Sequence, residues 1–189
     1  MTYTPYIIYF LFFSMIGWIL DSTSCTISKG KFVNSGYFWE LPLCPMYGFG
    51  GVALILLTAY FQSYPFIITI IISALMLTII EYIGGVFCIS VLKERLWDYS
   101  HRKWNLHGHI DVFHGICWII LTIVFYFFLY PVIFEFHSSI QSTVQISPIM
   151  DKTIFFLFCL IAFVYTVKRR HTRLKKLVKQ TEKRRNYSR

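Results

Sequence analysis

Charge is scarce in this chain, and acid is scarcer than base. Only 14% of the 189 residues are charged, where a soluble domain carries about 25%. Nine are Asp or Glu against eighteen Lys or Arg, for a net charge of +9. A water-soluble fold with so little charge and 56% hydrophobic residues is excluded. No C-x-x-C pair occurs among the five cysteines (Cys25, Cys44, Cys88, Cys117 and Cys159), so neither a zinc ribbon nor a thioredoxin-like motif is supported. They read as free packing thiols. The zinc-protease signatures and Gly-x-Ser-x-Gly are missing, as is a Walker phosphate loop. Nucleotide hydrolysis is therefore not expected of this chain. A basic leader and a small-residue cleavage site are lacking in residues 1–13, so the first apolar run is expected to stay as a helix rather than leave as a signal peptide.

What is present is a series of apolar runs near the ~20 residues a transmembrane helix needs. They are too long, and alternate too poorly, for barrel strands. With no water to satisfy the backbone, helices remain. The expected fold is all-α: a polytopic membrane domain over residues 1–167 with five spans, near 5–27, 46–61, 66–92, 111–134 and 153–167, and a basic tail over 168–189. Gln62-Ser63-Tyr64-Pro65 joins spans 2 and 3 as a hairpin. Residues 136–152, rich in Ser and Gln, read as a polar loop. The glycines at 48, 50 and 51 permit close helix approach. Tyr37, Phe38 and Trp39 in the first loop, and Trp97, Tyr99 and Trp104 in the second, suit a membrane interface.

Positive residues on cytoplasmic loops set orientation. Lys29 and Lys31, then Lys93, Arg95, Arg102 and Lys103, and eleven residues of the tail all fall on one side, and only Lys152 on the other. This predicts the N-terminus outside and the C-terminus in the cytoplasm, in the plasma membrane. The tail's Lys168, Arg169, Arg170, Arg173, Lys175 and Lys176 are candidates for anionic lipid, at ~1 kcal/mol per basic residue near the surface. With one aromatic, Tyr187, and no recognisable module, the tail is not expected to bind nucleic acid.

The unusual polar residues concentrate between 80 and 115. At ~1.5 Å per residue, Glu81 lies about 24 Å along its helix from Pro65, toward the cytoplasmic leaflet. A carboxylate inside a span is costly and needs a partner or a task. Asp21, Asp111 and His114 fall in the same half, with Glu40, Asp98, Asn105, His107 and His109 on the loops. A helix starting near His107 would place His107, Asp111, His114 and Trp118 on one face. The candidate cluster is Asp21, Glu81, Tyr82, Asp98, Tyr99, Asn105, His107, Asp111 and His114, forming a polar pocket open to the cytoplasm. The competing reading is structural, with Glu81 paired to Arg95, His114 or a backbone group. No metal site, cofactor or assigned catalytic residue is expected.

Gly17-Trp18, Lys31-Phe32-Val33-Asn34-x-Gly36, Cys44-Pro45-Met46-Tyr47-Gly48-Phe49-Gly50, Glu81-Tyr82, Trp97-Asp98-Tyr99-Ser100 and Asn105-Leu106-x-Gly108 together resemble the CmpB-like family, labelled ABC-transporter permease or type IV ABC transporter. The resemblance covers roughly residues 8–133. Asp21 stands where that family often has Glu, and Ser35 and His109 where it has Arg. Asp111 and His114 also depart from the pattern. The resemblance implies transport with a separate ATPase subunit, with 93–110 as its docking candidate. So few spans imply a homo-oligomer. The alternative is a membrane-embedded enzyme or sensor acting on an inner-leaflet lipid. Glu81 or Asp98 would then be the base and His107 or His114 its partner.

Overall fold

The computed structural model describes residues 3–35, 41–143 and 147–187. Gly36, Tyr37, Phe38, Trp39 and Glu40, named above in the first loop, lie outside them. The described chain is all-α apart from one small hairpin. Its elements are α1 (Thr4–Lys29), α2 (Pro45–Tyr60), α3 (Phe66–Phe87), β1 (Asn105–Leu106), β2 (Ile110–Asp111), α4 (Val112–Val124), α5 (Tyr130–Thr143) and α6 (Pro148–Tyr187). α3 widens into a π-helical turn at Cys88–Leu92, and a second π turn, Phe125–Leu129, joins α4 to α5 without a break. Four stretches are long and apolar enough to cross a membrane: Thr4–Lys29, Phe66–Leu92, Val112–His137 and Pro148–Glu182. α2, with 16 residues, is shorter.

The local chemistry accounts for the boundaries. Pro5 and Pro45 sit in the first turns of α1 and α2, where a missing N–H costs nothing. Gly30 closes α1 in the left-handed conformation (φ 64°). Asp111 caps α4, its Oδ1 accepting the His114 N–H at 2.8 Å.

One expectation is corrected. The stretch 136–152 is not one polar loop. No Pro or Gly interrupts the chain between Pro131 and Pro148, so nothing stops α5 before Thr143. Pro148 then opens α6, a single 40-residue helix that runs through residue 168 without a break.

The core is narrow. Tyr9, Phe13, Leu54, Ile55, Leu77, Trp118, Phe125 and Ile133 form its buried cluster. α1 and α2 approach so closely that a Cβ on Gly17 would collide with the Tyr47 ring, and one on Gly51 with Phe13. Outward, the helices carry Ile71, Leu75, Ile83, Ile116, Phe128, Phe156 and Phe163, all exposed. A belt of this kind is unfavourable in water and natural against lipid tails.

α6 is fastened near its start and again about midway along. Asp151 is 2% exposed and accepts hydrogen bonds from the Tyr3 and Thr4 amides and the Thr4 hydroxyl at 2.7–3.0 Å, which caps α1 from another helix. Arg169 bonds Glu94 at 3.2 Å and the Tyr165 hydroxyl at 3.1 Å, and Arg173 donates to the Lys93 carbonyl.

Candidate functional site: carboxylates held by a folded-back loop

The segment between α3 and α4 is an ordered cap. Its centre is a tight reversal at His107-Gly108, with φ of 55° and 71°. Two consecutive left-handed residues make a tight turn within the three-residue connection from Leu106 to Ile110, and Gly meets that need without a Cβ penalty. The His109 N–H closes it on the Leu106 carbonyl at 3.0 Å, and Asn105 pairs with Asp111 across the ladder. The Asn105 amide donates to the Arg102 carbonyl at 2.7 Å and accepts the Gly108 N–H at 2.9 Å. Trp97 donates its indole N–H to the His109 carbonyl. Asp98 binds Arg95 and Ser100. The Asn-Leu-x-Gly and Trp-Asp-Tyr-Ser motifs are thus largely the scaffold of this cap.

The hairpin corrects the helical face drawn through His107. α4 begins at Val112, so His107 sits at the hairpin tip, bound to the Tyr82 hydroxyl at 3.0 Å, while Asp111, His114 and Trp118 stay with the start of α4. Gly85 explains how the hairpin reaches α3: a Cβ there would overlap the His109 ring.

Folding the loop back brings Tyr99 to Glu81. Glu81 is 1% exposed. Its Oε1 accepts the Tyr99 hydroxyl at 3.2 Å and its Oε2 the Trp118 indole N–H at 2.7 Å. Its hydrogen-bond partners among the described residues are therefore these neutral donors, not Arg95 or His114. On the α1 side, Asp21 accepts the Tyr47 hydroxyl at 2.9 Å and faces the Cys44 thiol at 3.5 Å. The Tyr47 and Trp118 rings lie 5.5 Å apart and bridge the two carboxylates.

His114 is the hub. Its Nδ1 lies 2.6 Å from Asp111 Oδ1, and its ring stacks on Tyr99 at 4.0 Å and 15°. It is within electrostatic reach of Asp21, Glu81 and Asp111. Arg102 approaches Asp111 Oδ2 at 3.4 Å without a hydrogen bond, and its guanidinium lies 4.8 Å over the Phe113 ring.

The loop groups titrate accordingly. Burial pushes the Tyr99 phenol far above its usual range, and the Glu81 carboxylate adds to that. Burial alone would raise Asp111, but the His114 amide and ring and the charge of Arg102 outweigh it, so its acidity increases. The Ser100 hydroxyl and amide, then Arg95, hold exposed Asp98 well below the carboxylate range. Burial, with the charge of Arg95, lowers His109.

The predicted residues therefore separate into two layers. Asp21, Glu81, Tyr99, Asp111 and His114 come together. Tyr82, Asp98, Asn105 and His107 build the surrounding cap. Sequence reasoning left Tyr47, Trp118 and Arg102 out of the candidate cluster. Tyr47 was signalled by its place in Cys44-Pro45-Met46-Tyr47, and Trp118 by its helical spacing from Asp111 and His114. Among the described residues no three His, Cys, Asp or Glu side chains converge as metal ligands would.

Long apolar helices around a buried polar cluster define a multi-pass helical membrane protein. The chain belongs to the CmpB-like family, described as "Putative ABC-transporter type IV", whose model matches residues 8–167. The match thus runs past residue 133, where the motif resemblance stopped, and takes in the apolar part of α6. No curated protein and no solved structure matches the chain.

Proposed function

We propose that the chain is the membrane subunit of an ABC-type transporter, and that the Asp21–Glu81–His114 cluster binds its substrate or a coupling ion from the cytoplasmic side. The observation that carries this reading is the convergence of α1, α2, α3, α4 and the cap on buried Glu81 and half-buried Asp21, both held by neutral donors. Interhelical polar contacts in membranes are worth only about 0.6 kcal/mol on average, a weak reason to keep two carboxylates there. In this reading α2 is the fifth span, the plasma membrane holds the protein with its N-terminus outside, and the basic residues face the cytoplasm. A separate ATPase docks on that side, against the 93–94 turn and the root of the tail, where Arg169 and Arg173 join α6 to the end of α3. The wide apolar flanks of α6 suit a second copy of the chain. The remaining tail bases, Lys168, Arg170, Lys175 and Lys176, face anionic lipid.

Single cysteines placed beside Asp21 and Glu81 test the transport reading. Labelling by impermeant thiol reagents from both faces of the membrane is expected. Labelling from the cytoplasm alone would overturn it in favour of the second reading, an enzyme or sensor for inner-leaflet lipid. One observation favours that alternative: Asp111 holds the His114 imidazole at 2.6 Å, as a carboxylate orients a general base.

A further inference from the structure

Trp97, Tyr99 and Trp104 all read as interface anchors from sequence, yet the fold uses two of them internally. Trp97 is tied to His109 and Tyr99 to Glu81. Trp104 is different. It is 82% exposed and holds a left-handed backbone, φ 60°, which a bulky side chain rarely adopts. His101, Arg102 and Lys103 before it are all exposed. Leu106, in β1, is exposed too, as are Val112 and Phe113 in the first turn of α4. Arg102 lies over the Phe113 ring, so this basic residue sits level with the apolar start of a membrane-spanning helix. Asp98, the exposed acid of the cap, is neutralised by Arg95 at 2.5 Å.

We propose that the segment leading into the hairpin, residues 101–106, is a membrane anchor that seats Trp104 in the headgroup layer and holds anionic phospholipid through Arg102 and Lys103. Charge complementarity selects this occupant. An indole has an apolar body and one N–H donor, which suits the interface. Two cations beside it meet phosphate in the same layer. The anchor also explains the cost of the left-handed Trp104 backbone: that conformation turns the indole outward from a cap whose other aromatics turn in. It deepens the membrane reading above and assigns this part of the 93–110 loop to lipid rather than to an ATPase.

The test uses the full chain in nanodiscs of phosphatidylcholine, with or without phosphatidylglycerol. The Trp104 emission is taken as the difference between the wild type and Trp104→Phe. Quenching by lipids brominated near the headgroup is expected to exceed quenching by aqueous iodide. Retention of phosphatidylglycerol in native mass spectrometry is expected to fall about fivefold in Lys103→Gln, from ~1 kcal/mol per basic residue at the surface. Lys103 makes none of the internal bonds that Arg102 makes, so this variant keeps the fold. Iodide quenching with no bromine effect would overturn the anchor, as would equal lipid retention by Lys103→Gln. Neither readout needs an ATPase or transport, so the anchor and the transporter reading fail independently.

Discussion

Glu81 shows how one side chain organises its surroundings. Its two oxygens take one donor each, from Tyr99 and from Trp118. The shorter bond comes from the more buried group, since Trp118 is 7% exposed. Trp118→Phe leaves a buried acceptor without its partner, which costs about 1–3 kcal/mol. Tyr99→Phe removes a longer bond near the cap and is expected to cost about 0.6 kcal/mol. Thermal unfolding in detergent should rank Trp118→Phe well below Tyr99→Phe; the reverse order would contradict this assignment. Asp111 gives the pH dependence. Its folded acidity is raised above that of the unfolded chain, so its stabilisation is present above the unfolded value, about pH 4, and is lost as pH falls through the folded one. Asp111→Asn should therefore flatten the acid limb of the melting profile while lowering stability at neutral pH.

At the scale of elements, the α3–α4 cap is the part least legible in the sequence. The length of the apolar runs carried the helices, because crossing a bilayer needs ~20 apolar residues. The hairpin is two residues per strand, too short for any alternation to register, and its signal was the single dipeptide His107-Gly108. Reading His107 as helical placed it with Asp111 and His114, whereas the left-handed turn puts it on Tyr82. The candidate residues from α1, α3 and α4 were legible because a carboxylate in an apolar run stands out. Tyr47 and Trp118 were not, because a donor looks like one more aromatic. Gly108→Ala tests the turn. A left-handed residue with a Cβ costs about 1–2 kcal/mol, and that Cβ would sit 2.8 Å from Asp98 Oδ1. A loss of that size is expected, together with faster hydrogen exchange at Tyr99, whose N–H is bonded to the Gly108 carbonyl. Unchanged exchange would mean the cap does not depend on this turn. The close approach of α1 and α2 is checked by Gly17→Ala. Overpacking against Tyr47 is expected to cost about 1–3 kcal/mol and to weaken the Tyr47 bond to Asp21.

For the whole molecule, α6 sets the frame. Asp151 and Arg169, two of its polar attachments, lie about 27 Å apart along the helix at ~1.5 Å per residue, close to the ~30 Å of a hydrocarbon core. Between them α6 presents mostly apolar side chains to its surroundings. Arg169→Glu should free the tail root from the 93–94 turn, and adding Glu94→Arg should restore it, read as cross-linking between cysteines at 93 and 173. Failure of the exchange to restore the cross-link would remove the ion pair from the account. In the function proposed above, this chain is the membrane subunit of a transporter working with a separate ATPase. Native mass spectrometry of the tagged chain, extracted gently from its own membrane, tests it most directly. Recovery of a nucleotide-binding ATPase with the chain is the predicted result. Recovery of no ATPase, but of a specific lipid that is lost on Glu81→Gln, would contradict it and make the cluster a lipid site.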